Sequence, residues 1–252
     1  MPSFRYFIQL SFLGTRYHGW QIQPNALTVQ SVLDNTLSAL LGEEIRVTGA
    51  GRTDTGVHAR FFMAHFDTCH ASLHRQEKLV YSLNGMLPVD IAVQKIIPVK
   101  PDAHARFHAV SRTYEYLLSR EKDPFLSGLA HFYYGTLDLR AMQEATRWLT
   151  GEHNFKAFSR SHTQVKTYTC RVMEAKWLEK DHRLIFRITA DRFLRNMVRA
   201  IVGTMIDTGK DRISSDEWQR IMDSKDRSLA GPSAPAHGLY LTRIEYPPEI
   251  YL

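Results

Sequence analysis

Cysteine is scarce. Cys69 and Cys170 are the only two in 252 residues, and they lie outside any C-x-x-C or Cys/His zinc spacing. That excludes a disulfide-rich secreted scaffold and argues against a structural metal site of the usual kind. One bridge between them is chemically possible. Two reduced, partly buried thiols in a cytoplasmic protein fit the pattern better. Long apolar runs are missing too. No stretch of about 18 apolar residues occurs, so no membrane span is expected. The N-terminal Met-Pro-Ser-Phe-Arg-Tyr lacks the apolar core of a signal peptide. There is no low-complexity tract and no internal repeat.

What is present is ordinary in bulk and basic in charge. Hydrophobic residues make up 44% of the chain and charged residues 23%, enough apolar content for a real core. The length suits two domains of about 100–150 residues each. The net charge of +6 favours anionic partners, nucleic acid first and membrane surface second, although many solvated proteins are mildly basic.

The apolar pattern predicts a strand over 4–12 and a helix over 29–41, with Thr28 as its N-cap and Gly42 as its stop. Strands at 45–48 and 61–67, a helix over 72–86 and a strand at 91–97 follow. Strand, helix, strand, strand, helix, strand is the split βαβ order of ferredoxin-like folds. Lys100-Pro101-Asp102 reads as a junction. The second half predicts strands at 111–119 and 131–135 and a helix near 138–150. Strands at 168–179 and 183–190, helices at 192–208 and 214–224, and a last strand at 239–245 complete it. The small-residue segment 228–238 is a loop. The expected fold is α+β: two ferredoxin-like subdomains with mainly antiparallel sheets, residues 1–103 and 104–252, joined around an active-site cleft.

Between two of these strands lies GAGRTDTGVHAR, residues 49–60. Its three glycines require tight turns or close backbone approach. The spacing G-x-G-x-x-x-x-G is neither the dinucleotide pattern nor a Walker loop, which argues against a nucleotide-dependent enzyme. Read alone, the segment is a hydrophilic hairpin loop with Asp54 as a turn residue. Its alternative is a rigid loop that presents Asp54, with Arg52 and His58 close in sequence, to a ligand.

The run GAGRTDTGVHA resembles the motif of the TruA-type tRNA pseudouridine synthases. YHGWQIQP (17–24), SVLDNTLSALLGE (31–43), HARFHAVSRTYEYLL (104–118), DRFLRNMVRAIVGTMIDTGK (191–210) and HGLYLTRIEYP (237–247) are similar to further segments of that family, in the same order. One departure is Thr55, where the family often has alanine. The resemblance implies isomerisation of uridine to pseudouridine in tRNA, at about positions 38–40 of the anticodon stem-loop. It implies no cofactor, no metal, and a homodimer that doubles the positive charge offered to one tRNA.

The resemblance makes Asp54 the nucleophile, attacking C1′ or C6 or triggering elimination. A carboxylate in a dry pocket takes up a proton unless a cation lies beside it, so a partner is required. The family's candidate is Arg199, whose other reading is a solvated helix arginine. With Arg195 four residues earlier on the expected helix, the two would share a face. Tyr114 matches the residue that stacks on uracil, although Tyr116 has the same strand parity. Arg52 either holds the flipped nucleotide or contacts a phosphate. Leu241, or else Leu239, supplies an apolar wall under the base. His58, Arg192 and Arg195 complete the expected substrate contacts. Lys156, Arg160, His162, Lys166, Arg171, Arg16 and His18 are candidate tRNA contacts or an ordinary solvated face. His104 and His108 are spaced i, i+4, but the segment reads as extended, which disfavours metal. The same basic surface would also suit a catalytically silent RNA-binding module.

Overall fold

The computed structural model describes residues 3–160 and 165–252. The chain forms two compact units, Met1–Val110 with Leu241–Leu252, and Ser111–Tyr240. The sequence pattern sets its boundary at 103/104 and leaves 241–252 with the second half. The difference has a local cause. Val99 N donates to Arg5 O at 3.2 Å, Lys100 N to Ile250 O at 2.9 Å, and Val110 N to Glu245 O at 2.9 Å. Tyr246 Oη adds a bond to Ala105 O at 2.6 Å. Irregular segments tied down this way carry no periodicity for a sequence reading to detect.

The first unit contains β1 (Phe4–Phe12), α1 (Val29–Leu41), β2 (Thr48–Gly49), β3 (His58–Thr68), α2 (Glu77–Met86) and β4 (Ile91–Pro98). The strands run in the order β4-β1-β3, and β2 pairs with β3, which is the ferredoxin-like arrangement. Pairing of β1 with β3 and with β4 is antiparallel. In α1 the Thr28 side chain accepts from Ser31 N while Thr28 N donates to Ser31 Oγ, both at 3.2 Å, so two orphan donors are satisfied at once. Gly42, at φ 69°, ends the helix. Val29, Leu33 and Leu37 are fully buried.

The strand expected at 45–48 is a correction. Ile45 and Val47 are buried as the alternation requires. Their backbones, however, bond to α1 side chains instead of a ladder. Val47 N donates to Asp34 Oδ1, Ile45 N to Ser38 Oγ, and Gln30 Nε2 to Val47 O, each at 2.8 Å. Only Thr48 and Gly49 pair with β3.

The second unit contains β5 (Ser111–Ser119), β6 (His131–Phe132), α3 (Leu139–Ala145), β7 (Gly151–Asn154), β8 (Thr169–Lys180), β9 (Arg183–Ala190), α4 (Met197–Gly209) and α5 (Ser215–Ser224). Its sheet order is β5-β9-β8-β7, antiparallel, with β6 lying parallel on β5. A last strand, β10 (Leu239–Glu245), begins in this unit and ends in the first. In α4 every residue except Arg199 and Asp207 is buried. The helix expected at 192–208 starts five residues later, because Asn196 is left-handed at φ 67°. Asparagine tolerates that conformation better than most residues. Arg195 therefore precedes the helix, and the expected shared face with Arg199 is absent. The segment at 138–150 is likewise shorter than expected and runs through a 3-10 turn into β7, a strand that the pattern did not predict. No helix among the described residues is long and apolar enough to cross a membrane.

Two glycines lay the first loop against residues 53–57. A Cβ on Gly14 would sit 2.0 Å from Val57 O, and one on Gly19 would sit 2.2 Å from Thr53 O. Gly19 also has φ +82°. The far side of the loop closes on α1, where Val29 N donates to Gly19 O at 3.3 Å and Gln30 N to Trp20 O at 3.0 Å. These are orphan donors of the helix N-terminus. Trp20 stacks on Phe62 with centroids 4.2 Å apart. Its indole lies where a Cβ on Gly49 would be, at 2.4 Å. Gly19→Ala therefore incurs both a steric and a conformational cost. A loss of about 2–4 kcal/mol in unfolding free energy by urea denaturation is expected. Gly42→Ala, at φ +69° with nothing within 4 Å of its Cβ, should lose only about 1 kcal/mol. Equal losses at the two sites would refute the close-contact account.

A second consequence concerns His65 on β3. Its Nδ1 accepts from Ala105 N at 3.1 Å, and the His104 ring lies 4.6 Å away. Burial, then the neighbouring His104 and Arg5, push its pKa down to about 4. The folded state thus binds a proton less readily than the unfolded chain, whose histidine titrates near 6.5. Stability from this group is complete above about pH 6.5 and lost as pH falls toward 4, by about 3 kcal/mol at most. Unfolding free energies measured across that window should rise with pH. The slope should flatten in His65→Gln, which keeps an acceptor for Ala105 N.

Candidate active site

Residues of the expected site belong to both units. In the first, Ala50 N donates to Met63 O at 2.8 Å, and Val57 N donates to Asp54 O at 3.1 Å. The four residues Asp54–Val57 form a turn with Gly56 at φ +80° in its third position. A type II turn needs glycine there. The turn leaves the Asp54 side chain half-buried and that of Thr55 exposed. Arg52 is exposed.

His58 was expected among the substrate contacts. It is fully buried, and its Nδ1 accepts from Gly14 N at 2.9 Å. The imidazole ties the aspartate turn to the first loop and offers no surface to a substrate. Leu241 is buried as well, at the start of the first unit's part of β10, and Leu239 is buried in the second unit. Arg16 lies 3.5 Å from Asp90, and His18 is exposed.

In the second unit the two tyrosines of β5 separate. Tyr116 has no exposed surface, and its hydroxyl donates to Pro235 O at 2.9 Å. Burial raises its phenol pKa well above the ordinary value. Tyr114 is half-buried and meets Phe193 edge-on at 5.1 Å. Strand register places it opposite Ile188 of β9, which leads directly into the 191–196 turn. Of the two, Tyr114 is thus the one that is not fully buried, beside the segment that carries Arg192 and Arg195.

Arg199 is half-buried on α4. Its Nε donates to Ala234 O at 2.7 Å, and Ala234 N returns a bond to Arg199 O at 2.9 Å. Nearby, Arg160 N donates to Arg195 O at 3.0 Å. Asp191 Oδ1 accepts from Arg171 N at 2.9 Å and from Arg192 N at 2.7 Å. The Lys156 ammonium lies 5.7 Å from the Tyr168 ring centroid. The backbone therefore gathers Arg160, Arg171, Arg192 and Arg195 along one edge of this unit, and all but half-buried Arg192 are exposed. Lys156 and Lys166 are exposed too, and His162 lies outside the described residues.

Among the described residues one group has ligand atoms close enough for a metal: Glu43, Cys69 and His70. Internal hydrogen bonds hold it. Thr68 Oγ1 and Cys69 N both donate to Glu43. His70 Nε2 donates to Leu41 O at 2.9 Å. The pair His104 and His108 is not extended as expected. His108 N donates to His104 O at 3.1 Å, and His104 N to His108 Nδ1 at 2.9 Å, a closed turn. Both cysteines are free thiols, Cys69 exposed and Cys170 buried.

Comparison with known proteins places the chain in a family. The family model described as tRNA pseudouridine synthase matches residues 9–108 and 145–247. The chain is 48% identical over 250 residues to a Porphyromonas gingivalis protein named tRNA pseudouridine synthase A, covering 98% of this chain and 99% of that one. It is 46% identical over 248 residues to the Bacteroides fragilis protein of the same name, with 98% of each chain covered. A Chloroflexus aurantiacus protein of that name is 42% identical, covering 96% of this chain and 88% of the relative. With the glycine-held aspartate turn inside the matched region, the chain belongs to the tRNA pseudouridine synthase family.

Proposed function

We propose that this protein isomerises uridine to pseudouridine within tRNA, with Asp54 as the nucleophile. The observation that carries the reading is the Asp54 turn. It is fixed by Gly56, tied through His58 to the first loop, and carried by a chain that matches the family nearly end to end. The reaction breaks the C1′–N1 bond, turns the base and forms C1′–C5. The C5 proton leaves to solvent and N1 gains one, so atoms and charge balance with no external donor. Asp54 serves by adding to C1′ or C6, or by starting an elimination.

Arg199 is the cation that keeps the carboxylate ionised. Its Nε is held by the Ala234 carbonyl, which restricts where the terminal guanidinium nitrogens can lie. Tyr114 stacks on the extruded uracil and relays the C5 proton, and its half-buried position, against the full burial of Tyr116, supports this. Arg52 steadies the flipped nucleotide, and Leu241 forms the apolar wall beneath it. Arg192 and Arg195, with the basic edge around them, take tRNA phosphates. We further propose that the enzyme is a cytoplasmic homodimer acting on about positions 38–40 of the anticodon stem-loop.

A silent RNA-binding module with the same fold is the reading to exclude. Tritium release from tRNA labelled at uridine C5 separates the two. The wild-type protein should release tritium, and Asp54→Asn should lower kcat by about a thousandfold or more while tRNA binding persists. No release by wild type overturns the enzyme reading. Near-normal turnover by Asp54→Asn overturns the nucleophile. Arg192→Ala and Arg195→Ala should each weaken tRNA binding and reduce its salt dependence by about one ion, with kcat nearly unchanged.

A further inference from the structure

The segment 230–238 runs along the first turns of α4, and side chains hold it at nearly every step. Gly231 N donates to Thr204 Oγ1 at 2.9 Å. A Cβ on Gly203 would lie 1.6 Å from Pro232 O, so helix and segment touch backbone to backbone there. Ser233 Oγ accepts from Asn196 Nδ2 at 2.6 Å and from Arg227 at 3.1 Å. The same Arg227 guanidinium donates to Ala230 O and Gly231 O at 3.1 and 3.0 Å.

The next two carbonyls are the ones that matter for the reaction. Ala234 O accepts from Arg199 Nε at 2.7 Å, and Pro235 O accepts from Tyr116 Oη at 2.9 Å. The Ala234–Pro235 unit is stiff by composition. Pro235 sits at φ −51°. A residue before proline is confined to extended backbone. With φ of Pro235 locked by its ring, only ψ of Pro235 lets the two carbonyls turn against each other, so a shift at one is passed largely to the other. Tyr116 is also held tightly, because its ring leaves only 2.6 Å to a Cβ on Gly238.

A guanidinium is rigid and planar, so a bond that fixes the direction of its Nε–H restricts where the two terminal nitrogens can lie. We infer that Tyr116 is a positioning residue for catalysis: its hydroxyl holds Pro235, and through the adjoining Ala234 carbonyl it fixes the orientation of Arg199. The inference rests on the reading of Arg199 as the partner of the nucleophile. A core aromatic that served packing alone would need no hydroxyl, and phenylalanine would fill the same space. Sequence parity grouped Tyr116 with Tyr114, but their tasks differ. Tyr114 presents a ring to substrate, whereas Tyr116 presents an O–H to the scaffold.

The test compares Tyr116→Phe, Arg199→Lys and the double variant by tritium release, with folding checked by circular dichroism and thermal unfolding. Tyr116→Phe should lower kcat about tenfold and leave KM for tRNA unchanged. In the Arg199→Lys background, which has no Nε bond to lose, the same change should cost little further. Wild-type kcat for Tyr116→Phe, with or without a lower melting temperature, overturns the inference. So does an undiminished tenfold loss in the Arg199→Lys background, since Tyr116 would then act independently of Arg199. If Arg199→Lys alone keeps wild-type kcat, the reading of Arg199 fails and takes this inference with it. An impaired Arg199→Lys beside an unaffected Tyr116→Phe sinks only the inference.

Discussion

The contact on which the first unit's functional loop depends is backbone against backbone. At Gly14 and Gly19 the first loop approaches the carbonyls of Val57 and Thr53 too closely for any side chain. Everything that steadies Asp54 follows from that approach. Only because the loop is so near can Gly14 N reach His58 Nδ1. The N-terminal amides of α1 then close the other side of the loop through Gly19 O and Trp20 O. The cost of these glycines is the extra backbone entropy they lose on folding. What they secure is a turn that cannot drift, which the covalent role proposed for its carboxylate would need more than affinity.

In the second unit the corresponding constraint is a helix with almost no exposed surface. Eleven of the thirteen residues of α4 are buried, and the two that are not, Arg199 and Asp207, are its only charged ones. Asp207 is accounted for near the helix end, within 3.7 Å of Lys210 and Arg212. Arg199 lies in the first turn, where an N-terminal helix dipole disfavours a cation. A helix built for packing alone would carry an apolar residue or an acid at that place. Holding a guanidinium there has a price, offset in part by the Ala234 carbonyl.

The regular elements were legible because their signals are local. The Thr28 cap and the Gly42 stop of α1 read directly from sequence, as does the strand β5. The failures share a cause. Ile45 and Val47 alternate like a strand and are buried like one, yet their backbones bond to Asp34, Ser38 and Gln30. Burial pattern reports where side chains go and not where the hydrogen bonds go. The start of α4 was misplaced because Asn196 looks unremarkable in a run of apolar residues and basic side chains. Its left-handed backbone shows only in three dimensions. For the site, Asp54, Tyr114 and Arg199 came from resemblance, since each alone reads as a turn residue, a core aromatic or a solvated cation. Gly19 and Tyr116 stood in the matched segments without a role, because both act through contacts with residues distant in sequence.

His58 shows how burial bears on a role taken from resemblance. It sits four residues from Asp54 in the most recognisable run of the chain, and a titratable imidazole there invites a substrate contact or a proton transfer. Burial argues against both. A ring with no exposed surface, whose Nδ1 already accepts from Gly14 N, has no access to a base and no free lone pair at that nitrogen. The same accounting runs the other way for Tyr114, which is only half-buried while its neighbour Tyr116 is enclosed and hydrogen-bonded. A motif therefore fixes which residues lie near the chemistry. Which of them meet the substrate, and which hold the others in place, is decided by where each polar atom finds its partner.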